Sequence, residues 1–143
     1  MADLPARDRA ELIKEYFRRM DAGSPDILDL VADDAEIGFP KYGIGRGKNA
    51  FGELWSGFGD IVGIEHILTN IIQAGDFVVV EGLTNGRAAD GRTWSGGSTP
   101  GGRFCNVFEF RGDLVARVHV YLDPDYFGDD AARFRWGHEG RAW

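Results

Sequence analysis

Four side chains in this sequence, Tyr16, Asp21, His66 and Asn106, are of types that carry out acid–base chemistry. A histidine can accept a proton near neutral pH, and a carboxylate can stabilise its charged form. A phenol and an amide can donate hydrogen bonds to a developing oxyanion. Each residue also has a structural interpretation, as a hydrogen-bonded strand histidine, a helix-end carboxylate, a core phenol or a satisfied amide. Residue type alone leaves both interpretations open.

Asn106 is placed by its neighbours along the chain. Phe104, Phe108 and Phe110 stand at alternate positions of a predicted strand and therefore share one face, on which Asn106 also lies. A buried amide needs hydrogen-bond partners. We therefore expect Asn106 inside the fold, either bonded to other protein groups or facing a bound molecule.

The elements that position these residues follow from hydrophobic periodicity. Helices are predicted at 7–20, in a short segment opened by Ser24 and Pro25, and at 51–58. Strands are predicted at 35–39, 64–74, 77–87, 103–111 and 114–122, with a glycine-rich loop at 42–47. The last four strands form an antiparallel meander with tight turns at Gly75-Asp76 and Gly112-Asp113. This order predicts an α+β fold with helices on one face of a curved sheet.

Strand parity separates the two faces of that sheet, because successive side chains point to opposite sides. In the last predicted strand the apolar face consists of Leu114, Ala116, Val118, Val120 and Leu122. The other face carries Val115, Arg117, His119 and Tyr121. His66 shares a face with Ile64, Leu68 and Ile72. We expect the apolar face to meet the helices and His119 to lie on the outer face.

The composition limits the class of protein. The 143 residues, 43% of them hydrophobic, suit one domain at 1–143 with its core at about 7–127 and a tail at 128–143. A net charge of −7 disfavours nucleic acid and an anionic membrane surface as partners. No apolar run approaches the roughly 20 residues that span a bilayer. An acidic start without a secretory pattern predicts a cytoplasmic protein.

No metal or disulfide is predicted. The single cysteine, Cys105, excludes an intrachain disulfide and a cysteine-based zinc site, and His66, His119 and His138 are scattered along the chain. The segment 86–102 contains six glycines and is interpreted either as a mobile lid over a pocket or as a flexible linker.

Four segments, in this order and spacing, resemble a known superfamily. They are Tyr16–Gly23, Val31–Ala35, Gly47–Phe51 and Val120–Pro124. Over residues 7–127 the chain resembles the SnoaL-like, nuclear-transport-factor-like proteins, which include ketosteroid isomerase, scytalone dehydratase, limonene epoxide hydrolase and polyketide cyclases. The resemblance implies a cone-shaped α+β barrel, in which three N-terminal helices pack on a strongly curved, mostly antiparallel sheet around one apolar pocket. It also implies a homodimer that packs through the outer sheet face.

The resemblance assigns roles to the four candidate residues. Tyr16 matches the phenol of ketosteroid isomerase, and Asn106 falls where that enzyme has its second hydrogen-bond donor, while Phe39 replaces its general-base aspartate. Asp21, His66 and Asn106 match an aspartate, a histidine and an amide of scytalone dehydratase.

Other members of the superfamily match less completely. The further histidine or aspartate of the dehydratases falls near Gly86. The arginine and two aspartates of limonene epoxide hydrolase fall on Gly82, Thr84 and Val120, so epoxide hydrolysis by that mechanism is not expected.

These matches predict a cofactor-independent acid–base enzyme of dehydratase, isomerase or cyclase type. Asp21 would orient His66, which would move the proton, and Tyr16 and Asn106 would hold the substrate oxygen. The substrate is expected to be a mainly apolar cyclic molecule, polyketide-like or steroid-like. The predicted pocket walls are Phe39, Trp55, Trp94, Phe104, Phe108, Val118 and Val120. The alternative is a non-catalytic module of the same fold that binds a hydrophobic ligand or dimerises.

Overall fold

A computed structural model of the chain describes residues 8–135 and 140–143. Within them the α-helices are α1 (Ala10–Asp21) and α2 (Lys48–Ser56), and short 3-10 helices lie at Pro25–Leu30, Pro100–Gly102 and Ala131–Arg133. The strands are β1 (Val31–Phe39), β2 (Gly43–Arg46), β3 (Ile61–Ala74), β4 (Phe77–Ala88), β5 (Thr93–Trp94), β6 (Arg103–Arg111) and β7 (Leu114–Leu122). The first seven residues and His138, on which parts of the sequence argument rested, fall outside the described residues.

The strands form one curved sheet in the order β2-β1-β7-β6-β4-β3, and β5 pairs with the end of β4. The β1–β7 pair is parallel and the other pairs are antiparallel, as a mostly antiparallel sheet requires. In the described part of the chain, the edge strands β2 and β3 do not pair with each other. The sheet is therefore open, which corrects the expectation of a closed barrel.

Helix α1 forms where the sequence predicted a helix, because its apolar residues recur on one face. Ile13, Tyr16 and Phe17 on that face are buried, and the Tyr16 and Phe17 rings contact Phe108 edge-on. Behind Asp21, Gly23 has a φ of +64°, which lets the chain turn away from the helix. The C-terminal end of α1 is thus held against the inner face of the sheet, where its last residue can reach β3.

A bulge in β7 corrects the predicted parity of that strand. Glu109 pairs with Arg117 but Phe110 pairs with Val115, so Ala116 is an extra residue on the β7 side. Val115 consequently points into the core, whereas Leu114 is 40% exposed. The prediction that placed Leu114 inside and Val115 outside was wrong, while the parity beyond the bulge holds.

A second bulge lies in β3, where Thr69 is skipped between Leu68 and Asn70 in the pairing with β4. The face changes there, so Ile71 packs against the core and Ile72 is 58% exposed. Ile72 therefore does not share the face of His66, as parity had predicted. His66 lies before the bulge and keeps its predicted inward face.

Two elements in the first half of the chain also differ from prediction. The predicted second helix is a six-residue 3-10 helix, because Pro25 opens it and β1 starts directly after Leu30. The segment 42–47 is more than a loop, since β2 pairs there with β1. The first strand is longer than 35–39 because Val31 pairs with Val115 of β7.

The buried Arg9 side chain bonds to two hairpin turns, at Gly75-Asp76 and at Gly112-Asp113. Its guanidinium donates to the backbone oxygens of Gly75 and Gly112, each at 3.1 Å, and pairs with Asp76 at 2.9 Å. It also lies over the Phe110 ring, 5.2 Å from its centre. Both turns occur at the predicted positions, Gly75-Asp76 and Gly112-Asp113. Arg9, which directly precedes α1, bonds to both of them.

The glycine-rich segment 86–102 packs against the sheet and contains β5. The Trp94 ring occupies the space beside Gly86, where an added Cβ would lie 1.9 Å from it. Near the end of the chain, the Trp143 backbone N–H donates to the Gly97 oxygen at 2.8 Å. The buried Trp94 side chain and this hydrogen bond are not expected of a flexible linker.

Candidate functional site

A cavity of about 350 Å³ lies between the inner face of the sheet and the helical segments of the first half of the chain. Side chains from α1, the Pro25–Leu30 helix, α2 and five strands line it, and most of them are aliphatic or aromatic. Tyr16, Asp21, His66 and Asn106 all line this cavity. The structure therefore brings the four predicted residues together.

Asp21 and His66 form a closely bonded pair. One carboxylate oxygen of Asp21 lies 2.5 Å from His66 Nδ1, and the other accepts the His66 backbone N–H at 2.8 Å. A carboxylate accepts hydrogen bonds, so the pair places a proton on Nδ1 and leaves the lone pair of neutral histidine on Nε2. Asp21 is thus placed to orient the His66 ring, as expected from the sequence, and it does so by a direct hydrogen bond.

Aromatic rings hold the His66 side chain in place. The ring centres of Phe17 and Phe104 lie 5.0 Å and 5.2 Å from that of His66, and the His66 side chain is only 10% exposed. Among the described residues, none forms a hydrogen bond with Nε2. Nδ1 of His66 thus bonds to Asp21, and Nε2 is available to a molecule in the cavity.

Tyr16 brings a phenol to the same cavity. The residue is 2% exposed, and burial raises the pKa of its hydroxyl well above its ordinary value. The phenol is therefore a neutral hydrogen-bond donor at physiological pH. Among the described residues, no group bonds to its hydroxyl, which leaves that donor for a molecule in the cavity.

Asn106 lies inside the fold, as its strand neighbours predicted, and is 4% exposed. Its cross-strand neighbours Val80 and Val120 are apolar, and its buried Oδ1 has no partner among the described residues. An unpartnered buried polar atom costs about 1–3 kcal/mol. Because Oδ1 is an acceptor, a bound molecule offsets that cost only by donating to it, whereas the amide Nδ2 is the atom that can donate to a substrate oxygen.

The predicted walls are correct in part. Phe39, Trp55, Phe104 and Val120 line the cavity. Phe108 and Val118 do not, because they are fully buried beneath it in the hydrophobic core. Trp94 does not line it either, because its ring turns toward Gly86 and packs against Tyr126 and Phe127. Trp94 is therefore not part of a lid over the cavity either.

Four polar residues of the cavity were not predicted from the sequence: Arg19, Ser24, Thr84 and Tyr126. Thr84 is the cross-strand partner of His66 only because of the β3 bulge, since unbroken pairing from the Gly75-Asp76 turn would place Asn85 opposite His66. Tyr126 follows the last strand, and Thr99 anchors its backbone oxygen at 2.7 Å. Burial, followed by the nearby Tyr42, raises the pKa of the Tyr126 hydroxyl to about 12. No periodic pattern marked Tyr126.

His119 lies on the outer face of the sheet, as predicted, and does not line the cavity. Its Nε2 lies 2.6 Å from the Glu36 carboxylate, which also pairs with Arg46 at 2.8 Å. Within the described ranges, no three histidine, cysteine, aspartate or glutamate side chains are arranged to hold a metal ion. The same ranges contain no helix with the length and apolar character needed to cross a membrane.

The chain matches the SnoaL-like domain over residues 13–118. Because this match covers more than half of its length, the protein belongs to the SnoaL-like family. The predicted superfamily is thereby confirmed. Among curated protein sequences, none matches the chain.

Solved structures of the superfamily have the same fold at low sequence identity. An NTF2-like protein from Anabaena variabilis is 22% identical, with a TM-score of 0.68 over 82% of this chain and 88% of its own. A protein of ketosteroid isomerase-like fold from Catenulispora acidiphila is 15% identical, with a TM-score of 0.70 over 82% and 88%. A protein from Pseudomonas putida described as a putative polyketide cyclase is 19% identical, with a TM-score of 0.68 over 87% and 98%.

Proposed function

We propose that this protein is a cofactor-independent acid–base enzyme that acts on a mainly apolar cyclic ketone or a related hydroxylated ring. The observation that carries the proposal is the Asp21–His66 pair, whose available nitrogen lies at a cavity that also holds the Tyr16 phenol and the Asn106 amide. A base and an oxyanion site are sufficient to remove a proton from carbon next to a carbonyl.

The first chemical step is the same for an isomerase, a dehydratase and a cyclase. His66 Nε2 accepts the proton of a C–H bond next to the substrate carbonyl. The electron pair of that bond forms the C=C bond of the enolate, and the π pair of the carbonyl moves to its oxygen. Tyr16 and the amide of Asn106 donate hydrogen bonds to the resulting enolate oxygen. Asp21 stabilises the positive charge that His66 acquires.

The cavity walls indicate the kind of substrate. Aromatic and aliphatic side chains surround a volume of about 350 Å³, which suits a molecule of two or three fused rings. The polyketide cyclase assignment of one structural relative is consistent with such a molecule. The cavity is open space and is not filled by the aromatic side chains of the protein, which favours a site over a purely structural core.

The proposal is tested with 2-tetralone, a bicyclic ketone with acidic C–H bonds next to its carbonyl. Deuterium incorporation at that carbon in D₂O, followed by NMR, measures proton removal without knowledge of the natural substrate. We expect the wild-type protein to accelerate exchange and His66→Ala to lower the acceleration by about 10²-fold or more.

His119→Ala is the matched control, since it removes a histidine that is paired with a carboxylate outside the cavity. It should exchange like the wild-type protein. Circular dichroism checks that both variants keep the fold. An undiminished rate in His66→Ala would contradict the proposal. Tight binding of 2-tetralone without exchange would identify a binding module instead.

A further inference from the structure

We infer that Thr84 is an additional binding residue of the cavity, which holds a hydroxyl group of the substrate beside His66, and that Trp94 positions it. This inference rests on the proposed function, because it specifies the substrate class of the same cavity. It narrows that class to ring compounds with two oxygen groups. One oxygen lies at Tyr16 and Asn106, and a hydroxyl lies between His66 and Thr84.

The strand pairing places Thr84 next to His66. The two residues are direct cross-strand partners on β4 and β3, and both line the cavity. Side chains in such a pair have Cβ atoms about 5 Å apart and point to the same face of the sheet. A group bound at His66 Nε2 is therefore within reach of the Thr84 hydroxyl.

Trp94 determines the direction of the Thr84 hydroxyl proton. The indole N–H of Trp94 donates to Thr84 Oγ1 at 2.9 Å. An indole nitrogen can only donate, so Oγ1 accepts this bond and its own proton must point elsewhere. Oγ1 donates its proton to the Gly101 oxygen at 3.5 Å, the outer limit of a hydrogen bond. A ligand oxygen at ordinary hydrogen-bond distance can replace this weak bond.

The Trp94 side chain is itself fixed. Its ring fills the space beside Gly86 and contacts the Tyr126 ring at 4.9 Å between centres. Trp94 does not line the cavity, so it acts on a ligand only through cavity residues that it contacts, Thr84 by a hydrogen bond and Tyr126 by ring packing. Trp94 is a positioning residue, and its side chain is held in one orientation.

His66 and Thr84 together match the hydrogen-bonding pattern of an alcohol. His66 Nε2 offers a lone pair and Thr84 offers a proton, whereas a hydroxyl group has one proton to donate and an oxygen that accepts. A ketone or ether oxygen can bond to Thr84 alone. The pair therefore favours a hydroxyl over either alternative. The hydroxyl bond to Nε2 belongs to the initial bound complex and must break before Nε2 accepts the proton of the C–H bond.

The test compares two probes, 1-tetralone and 4-hydroxy-1-tetralone, which differ by one hydroxyl. Titration calorimetry gives the ratio of their dissociation constants for each variant. For the wild-type protein we expect the hydroxylated probe to bind about 10-fold more tightly, the upper range of neutral hydrogen bonds. Thr84→Val should reduce this ratio to about 1, and Thr84→Ser should retain it.

Trp94→Phe tests the positioning role, because phenylalanine keeps a ring but cannot donate to Thr84. Free rotation of the Thr84 hydroxyl should lower the ratio by about 3-fold. A merely structural defect would weaken both probes and leave the ratio unchanged. The matched control is Thr69→Val, which removes an exposed threonine hydroxyl of β3 that bonds to the Glu81 backbone. It should bind both probes like the wild-type protein.

Several outcomes would overturn the inference: equal affinity of the wild-type protein for both probes, binding of neither at millimolar concentration, or a preference that survives in Thr84→Val. Thr84→Ser keeps the experiment decisive if Thr84→Val fails to fold, because loss of the preference in Thr84→Ser also contradicts it. A normal ratio without deuterium exchange would overturn the proposed function and leave the hydroxyl site standing.

Discussion

The described part of the chain contains two histidine–carboxylate pairs, one on each face of the sheet. Inside, His66 bonds to Asp21 at 2.5 Å, and among the described residues no arginine or lysine pairs with that carboxylate. Outside, His119 bonds to Glu36 at 2.6 Å, and Glu36 also pairs with Arg46. The two pairs have similar geometry but different partners.

This difference distinguishes the pair that we propose as the catalytic base from the outer pair. Within the described ranges, Asp21 accepts hydrogen bonds only from the backbone and ring of His66, so it orients the ring and leaves Nε2 at a cavity. Glu36 shares its charge between a histidine and an arginine, and His119 uses Nε2 for the bond itself. A histidine beside a carboxylate is therefore a candidate base only when its second nitrogen faces a ligand site.

The largest expected effect distinguishes the two carboxylates. Asp21→Asn removes the charge that stabilises protonated His66, so 2-tetralone exchange should fall by about 10²-fold or more. Glu36→Gln is the matched control and should leave the rate unchanged. Equal losses in both variants would show that the inner pair has no special role.

The outer pair lies on the face through which we predict dimerisation. Tyr121 and Ile72 are exposed there, and burial of such apolar area would stabilise a dimer. Analytical ultracentrifugation should show a dimer at micromolar concentration, and Tyr121→Glu should convert it to a monomer. A wild-type protein that is only monomeric under these conditions would contradict the prediction.

Gly38→Ala tests the packing of the outer pair. An added Cβ would lie 3.0 Å from the His119 ring and from Ile44, so the ring must move. We expect a loss of about 1 kcal/mol in the free energy of unfolding, measured with urea. Gly52→Ala in α2 is the control, because its Cβ would meet no atom within 4 Å and alanine favours a helix. Equal stabilities of both variants would contradict the packing argument.

The smallest expected effect depends on pH. His119 hydrogen bonding, together with the charge of Arg46, holds the pKa of the Glu36 carboxyl below its ordinary value of 4.5. A lowered pKa in the folded state stabilises the protein above pH 4.5, and the gain disappears as pH falls through the lowered value. Urea unfolding at several pH values should therefore show Glu36→Gln less stable than wild type at neutral pH, with the gap closing in acid.

Local patterns predicted most of this fold. α1, the meander strands and their turns each depend on residues that are close in sequence, so periodicity and turn chemistry identify them. The bulges at Thr69 and Ala116 depend on how two strands fit each other, and no single strand's alternation contains that information. The predicted inward and outward faces of β3 and β7 were therefore correct on only one side of each bulge.

The candidate site likewise contains residues that could be predicted from the sequence and residues that only the packing of the strands identifies. The sequence and the family resemblance identified Tyr16, Asp21, His66 and Asn106, and the cavity contains all four. Thr84 has no unusual neighbours and gains importance only from its partners His66 and Trp94 across the sheet. Trp94 was assigned to the cavity as a large aromatic residue, but its direction depends on the empty space above Gly86.

The Arg9 contacts have a consequence for the order of folding. Arg9 is bonded to Gly75 and Gly112, which lie 66 and 103 residues further along the chain, and β1 completes its pairing only with β7. During synthesis, the N-terminal segment therefore leaves the ribosome long before its partners exist. Contacts of such sequence separation slow folding. The β3–β4 hairpin can form early, whereas docking of α1, and with it closure of the cavity, must wait for the last strand.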